Sequence, residues 1–511
     1  MTWTELQRLA LVGLNRADWR GNAGRAPEAE LLDMAARQTL ARRAGWQPQP
    51  LPPETADPAP APEDERPWAG EEASRLLEAL LGGQHPPLLA EWLGLARAYD
   101  QLVRPRHLPR LLGLAEQASL DRPTLLRAIG ARGQWLAAQH PQWRTLLPLP
   151  ATTWQTGNRA EQARYLAQVR AETPAEGRAL LTPLIEQGGF RDLAALLPAL
   201  QEGLSTEDLP LLDPLATHGR KEVRRVALPL LAQLAQSQLV QQAQTQAGRW
   251  LQRRGQELVV HLPEKDDVAW LSDYKPQPPL ASSDLSQWSL DLGQRARWLV
   301  QTLSLVPPTH WPDALGESPE KLLRRLPDHP WGMALLRGWL LAALNHQDAT
   351  WGRAILRLLL YPKHDPGLRG AAGYAQWLPP GLRSPLMQLV PQAAREHLLE
   401  AAMSYVPLTG APMPFWLLLH SPVPVGIPVA KAFAHKVYSL LQAGQRTLSP
   451  ELRQFVQSMR GVAFVLPAPY FHELLSTWAL NPAYPQWYDP QLEGVIQLMA
   501  FRHRLGRSFE Q

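Results

Sequence analysis

The one compact group of like charges in this chain is Arg220, Lys221, Arg224 and Arg225. Residues three and four apart on a helix share a face, so Lys221, Arg224 and Arg225 would project together. Such a face can contact phosphates or an acidic protein surface. Glu222 and the carbonyls of the preceding turn can equally neutralise it. Asp266 and Asp267 are adjacent carboxylates, the residue type that general acid–base chemistry uses. Adjacent side chains point apart, however, and a solvated loop accounts for them. His420 and His435 lie in a stretch rich in proline and apolar residues, where they would either meet in space or sit hydrogen-bonded in the core. His472-Glu473 lacks the second histidine of a His-Glu-x-x-His zinc helix. No glycine-rich loop ends in Lys-Ser/Thr, and no Gly-x-Ser-x-Gly elbow occurs. The absence of cysteine removes disulfides, thiolate ligands and iron–sulfur clusters together. The expectation is a chain with no catalytic site, no metal and no cofactor.

The elements that would position these residues are helical. In the stretch 210–234, Val223, Val226, Ala227, Leu230, Leu231 and Leu234 fall at offsets 0, 3, 4, 7, 8 and 11, a single apolar stripe on one helix. A shorter helix over Asp208–Leu215 and a tight turn at Gly219 precede it, and Pro229 predicts a kink. Helix, basic turn and helix together form a HEAT-like unit. The stretch 326–360 reads as two buried helices joined at Asn345–Thr350. Leu31, Leu32, Ala35, Ala36, Thr39 and Leu40 also follow helical spacing, and Thr2-x-x-Glu5 suggests a capping box. Ser318-Pro319-Glu320 and Ser449-Pro450-Glu451 each place an N-cap before a proline at the first helical position. The 51 prolines keep the helices short, and most of the 20 tryptophans should fill space between them.

Three segments interrupt this pattern. Residues 47–67 hold eight prolines and five acids and read as a loose linker. Residues 256–284 read as a connecting segment with at most one short strand, Leu258–Leu262. The basic C-terminus, FRHRLGRSFEQ, is expected to fray. The domain reading is therefore an N-terminal helical segment 1–46, the linker 47–67, a helical-repeat half 68–255, the connection 256–284 and a second helical half 285–511. The fold class is all-α, an irregular α-solenoid of helix pairs. No run of about 18 apolar residues suggests a membrane span, and Glu5 and Arg8 interrupt any signal-peptide core. The expected location is the cytoplasm. A net charge of +4 over 511 residues is too mild to demand a nucleic-acid partner.

The segments LALVGLNR, LLDMAARQTLARRAGWQP, AIGARGQWLAAQHPQW, GRKEVRRVALPLLAQL and WLVQTLSLVPPTHW occur in that order. Together they resemble an uncharacterised bacterial family whose members are encoded beside a MoxR-type AAA+ ATPase, a von Willebrand factor A protein and a SWIM zinc-finger protein. The resemblance runs from about residue 3 to 360 and departs from the family pattern at Leu14-Asn15. It implies a scaffold or adaptor accessory to the ATPase module, and it carries over no catalytic residue. Three functions follow as expectations. The first is an adaptor that binds the ATPase or its von Willebrand A companion through Arg220, Lys221, Arg224 and Arg225. The second is a helical-repeat nucleic-acid binder that uses the same residues and the basic C-terminus. The third, an enzyme, would need a pocket of convergent acids or histidines.

Overall fold

Helices dominate this chain because its apolar residues recur at helical spacing, and its prolines cut each run short. The computed structural model describes residues 3–14, 26–44, 59–115, 120–186, 190–255, 257–274, 293–360, 378–403, 413–442, 450–479 and 489–510. Two compact units result, Met1–Ala61 and Pro62–Gln511. The expected capping residues Thr2 and Ser449 and most of the proline-rich stretch (47–58) lie outside the described residues.

In the first unit, the helices Trp3–Val12 and Pro27–Ala44 pack on one another. Leu32 and Leu40 from the predicted apolar stripe are 70% and 68% exposed. The second unit is an irregular succession of helix pairs, with one small sheet among the described residues. Its closest pairing joins Gln294–Leu305 to Gly332–Asn345. Gly338 permits this approach, since a Cβ there would lie 2.6 Å from Leu303 Cβ. Gly332–Asn345 and Ala349–Leu360 are the two buried helices expected in 326–360. Trp311, Trp339 and Trp351 run through their core, with ring centroids 6.3 and 5.0 Å apart.

The sequence reading is corrected at several points. Glu257–Val260 is the short strand expected within 256–284, and it pairs antiparallel with Leu251–Arg254, which the sequence pattern did not mark as a strand. Gly255, at φ 64°, supplies the left-handed backbone of the turn. The expected helix over Asp208–Leu215 is a chain of short turns, Thr206–Asp208, Leu209–Leu212 and Asp213–Thr217. Pro210 and Pro214 interrupt any longer ladder. Pro229 sits in the last turn of Lys221–Leu231, so the helix stops two residues later instead of continuing through a kink.

Residues 62–67, the part of the proline-rich stretch that belongs to the second unit, are anchored to the helix Arg122–Gln139 through Asp64 and Arg66. That helix breaks at Gly130, where φ is 63° and ψ is −168°. Asp64 fills the break: the Ala131 N–H donates to its Oδ2 at 3.1 Å, and Arg66 pairs with it at 2.7 Å. Arg66 also donates to the Arg127 carbonyl at 2.9 Å. The Arg66 guanidinium and the two backbone N–H donors hold the Asp64 carboxyl well below the usual carboxylate range, against the opposing effect of burial.

Residues 501–510 do not form the frayed end that their basic composition suggests. The helix Asp489–Arg507 runs through them, with Phe501, Arg502, Leu505, Ser508 and Phe509 buried. This last helix packs on the first helices of its own unit. Arg502 reaches Glu91 at 2.7 Å across 411 sequence positions, while Phe509 meets the ring of Trp92 edge-on at 5.2 Å. The basic residues of the segment suggested solvent, but Arg502 is 2% exposed and also donates to the Ala463 and Leu466 carbonyls.

Candidate interaction surface

The helix Lys221–Leu231 directs Val223, Ala227, Leu230 and Leu231 into the core and so turns its cationic residues outward. Arg220 sits at the N-cap, following the turn at His218–Gly219. The four predicted residues then divide into two groups. Arg224 is clamped: its Nε and Nη2 donate to Asp273 Oδ2 at 2.8 and 2.5 Å, and its Nη1 donates to the His218 carbonyl. Lys221 Nζ lies 3.4 Å from the other oxygen of Asp273. The hydrogen bond from Arg224 holds the Asp273 carboxyl below its usual range, and the charges of Arg224 and Lys221 add to this.

Arg220 and Arg225 are exposed, and no described residue forms an ion pair or hydrogen bond with either guanidinium. Against these four cations stand Asp273 and the exposed Glu222. Among the described residues the corner therefore keeps an excess of positive charge, on a helix fixed by its buried face. Exposed charges of this kind contribute more to encounter rate and partner choice than to raw affinity. Asp273 was missed in the sequence because it follows Arg224 by 49 positions across the hairpin.

The other sequence candidates separate. His420 Nδ1 lies 3.0 Å from Ser384 Oγ, and burial lowers its pKa, with the Arg383 charge adding to the effect. His435 instead lines an open groove of about 750 Å³ with Glu400, Met403, Ile427, Lys431 and Lys436. Burial lowers the pKa of Lys436, whereas Lys431 pairs with Glu473 at 2.8 Å. Asp267 accepts the Glu264 N–H at 2.9 Å and its neighbour Asp266 is exposed in the same turn, so the pair shapes a loop. His472 stacks edge-on with His503, centroids 4.7 Å apart. Among the described residues no group of three or more His, Asp or Glu side chains is arranged to hold a metal ion. Among them too, no helix is long and apolar enough to cross a membrane.

The family model that matches this chain is described as a family of unknown function, DUF5691, and the match spans residues 5–509. No curated protein and no solved structure matches it.

Proposed function

We propose that this chain, which belongs to the DUF5691 family, is a non-catalytic scaffold or adaptor that offers a fixed cationic corner to an acidic protein surface. Its partner is a MoxR-type AAA+ ATPase or the von Willebrand factor A protein of the same module. The carrying observation is the helix Lys221–Leu231: one face is locked in the core, and the other presents Arg220, Lys221 and Arg225 with their charge incompletely neutralised. The irregular helix pairs support the reading, because arrays of this kind hold extended surfaces in fixed register. The choice of partner rests on the family resemblance of the sequence segments. The nucleic-acid reading loses one of its supports, since Arg502 in the C-terminal segment is buried against Glu91.

The test is affinity capture of the tagged full chain from a host that expresses the neighbouring genes, with and without ATP. Recovery of the ATPase or the von Willebrand A protein is expected. The double substitution K221E/R225E should reduce recovery about tenfold, in keeping with removal of close charge complementarity. Recovery of the chain alone under gentle conditions would overturn the proposal. Recovery of nucleic acid alone, released steeply by salt, would replace it with the nucleic-acid reading.

A further inference from the structure

A second cationic feature lies far along the chain from that corner and differs from it in kind. The helices Arg122–Gln139 and Arg159–Glu172, with the short turn Trp143–Leu146, contribute to a concavity of about 290 Å³. Ala115, Leu125 and Leu146 are buried in its wall, and Leu120 is half-buried. Arg122, Arg164 and Thr145 supply its polar lining. Arg164 is half-buried and donates to the Thr145 carbonyl.

Among the described residues neither arginine forms an ion pair with a carboxylate, and the nearest described acids in sequence spend their hydrogen bonds on helix caps. Asp121, beside Arg122, caps its helix by accepting the Thr124 N–H at 3.0 Å. Glu161, three positions before Arg164, closes a capping box by accepting the Asn158 N–H at 2.8 Å. Three other enclosed arginines are matched with acids, Arg170 with Asp208, Arg224 with Asp273 and Arg502 with Glu91, whereas the buried Arg395 donates to the Met387 and Val390 carbonyls. Here two like charges share one recess. Burial lowers the pKa of Arg164 and the charge of Arg122 lowers it further, outweighing the smaller opposing effect of the Glu161 charge. Both effects favour arrival of a negative group.

We infer that Arg122 and Arg164 form a binding site for a phosphate group, either free or at the end of a small phosphomonoester. Two guanidiniums match a dianion in charge, and each fork of N–H donors fits phosphoryl oxygens. At ~30 Å³ per water the recess holds about ten waters, so it admits a small ester but not a nucleotide-sized ligand. Leu120, Leu125 and Leu146 provide an apolar wall for the carbon part of such an ester.

The test is calorimetric titration of the full chain at low ionic strength with inorganic phosphate and, separately, with phenyl phosphate. Saturable binding of one equivalent is expected. Tighter binding of phenyl phosphate assigns the site to phosphomonoesters, and equal binding assigns it to the free ion. R122Q and R164Q should each weaken binding about ten- to hundredfold, the worth of one charge-assisted hydrogen-bonded contact. R97Q, which alters an arginine outside this recess, should leave binding unchanged. Arg122 is exposed, so R122Q keeps the test open if R164Q folds poorly. The site is refuted if neither probe saturates at about 10 mM, tenfold above the ~1 mM end of the affinity scale. It is equally refuted if R122Q binds as tightly as the unmodified chain.

Discussion

Arg170 and Asp208 are both fully buried, and their replacement gives the sharpest test of how this molecule holds together. Arg170 Nη1 and Nη2 reach the two Asp208 oxygens at 3.1 and 2.9 Å. Its remaining donors go to the Glu202, Pro174, Leu200 and Gly203 carbonyls. Gly177 makes room for the arginine stem, since a Cβ there would lie 2.2 Å from Arg170 Cγ. Asp208→Asn keeps the shape of the site but removes the counter-charge. An unpaired buried guanidinium then costs about 3–5 kcal/mol. The compact unit Pro62–Gln511 spans about 450 residues, so its cooperative melting entropy is roughly 0.9 kcal/mol per kelvin. The same penalty therefore has two distinct signatures in scanning calorimetry. If the unit melts as a whole, the transition falls by about 3–5 °C. If a block of ~100 residues around the pair melts by itself, that transition falls by about 15–25 °C. The double replacement R170M/D208L should recover most of the loss, because apolar residues of similar volume tolerate such a site. A shift under about 1 °C for Asp208→Asn would refute the argument that this pair is a buried, uncompensated-charge hazard.

Glu91→Gln should cost about 1.5–3 kcal/mol by leaving Arg502 short of its charged acceptor. Hydrogen exchange should then quicken in both Leu88–Ala98 and the C-terminal helix, and quickening on one side alone would refute the contact's role. Gly338→Ala should destabilise by about 1–3 kcal/mol, because the new Cβ collides with the Leu303 side chain; an unchanged denaturation midpoint would count against that close approach. Gly130→Ala should cost at least as much, since it combines a left-handed φ with a Cβ placed 2.6 Å from Asp64 Oδ2, and faster proteolysis near residues 62–67 is the expected readout. Burial holds His346 below the ordinary histidine range, although its Nε2 lies 2.8 Å from the Leu305 carbonyl. Its contribution to stability is therefore full above the unfolded value of ~6.5 and is lost as pH falls through the lower folded value. Denaturant midpoints measured from about pH 7.5 down to about pH 5 should fall less steeply in H346Q.

The sequence disclosed what depends on local periodicity. The stripe from Val223 to Leu231 and the helix pair within 326–360 needed only apolar spacing, and both occur where that spacing places them. Long-range partners were not legible. Arg502 looks like a solvent-facing residue until Glu91 is brought beside it, and Arg224 looks free until Asp273 is. The strand Leu251–Arg254 reads LQRR, with no alternation to mark it, and pairing with Glu257–Val260 makes it a strand. Asp64 and Arg66 lie in a run whose composition suggests a tether, and the break at Gly130 turns them into an anchor. Among the cations, sequence clustering pointed to 220–225 but not to Arg122 and Arg164, which stand 42 positions apart and meet only through packing.

The contact between the last helix and the first helices of its unit also sets a timetable for synthesis. Glu91 and Trp92 leave the ribosome long before Arg502 and Phe509 exist, with 411 residues separating Glu91 from Arg502. At 5–20 residues per second that interval is roughly 20–80 s. Throughout that interval the face of Leu88–Ala98 that Arg502 and Phe509 cover lacks this partner. A nascent chain therefore carries the Trp92 ring without its Phe509 cover across that whole interval, and a stop codon before position 509 would leave the ring without that cover permanently.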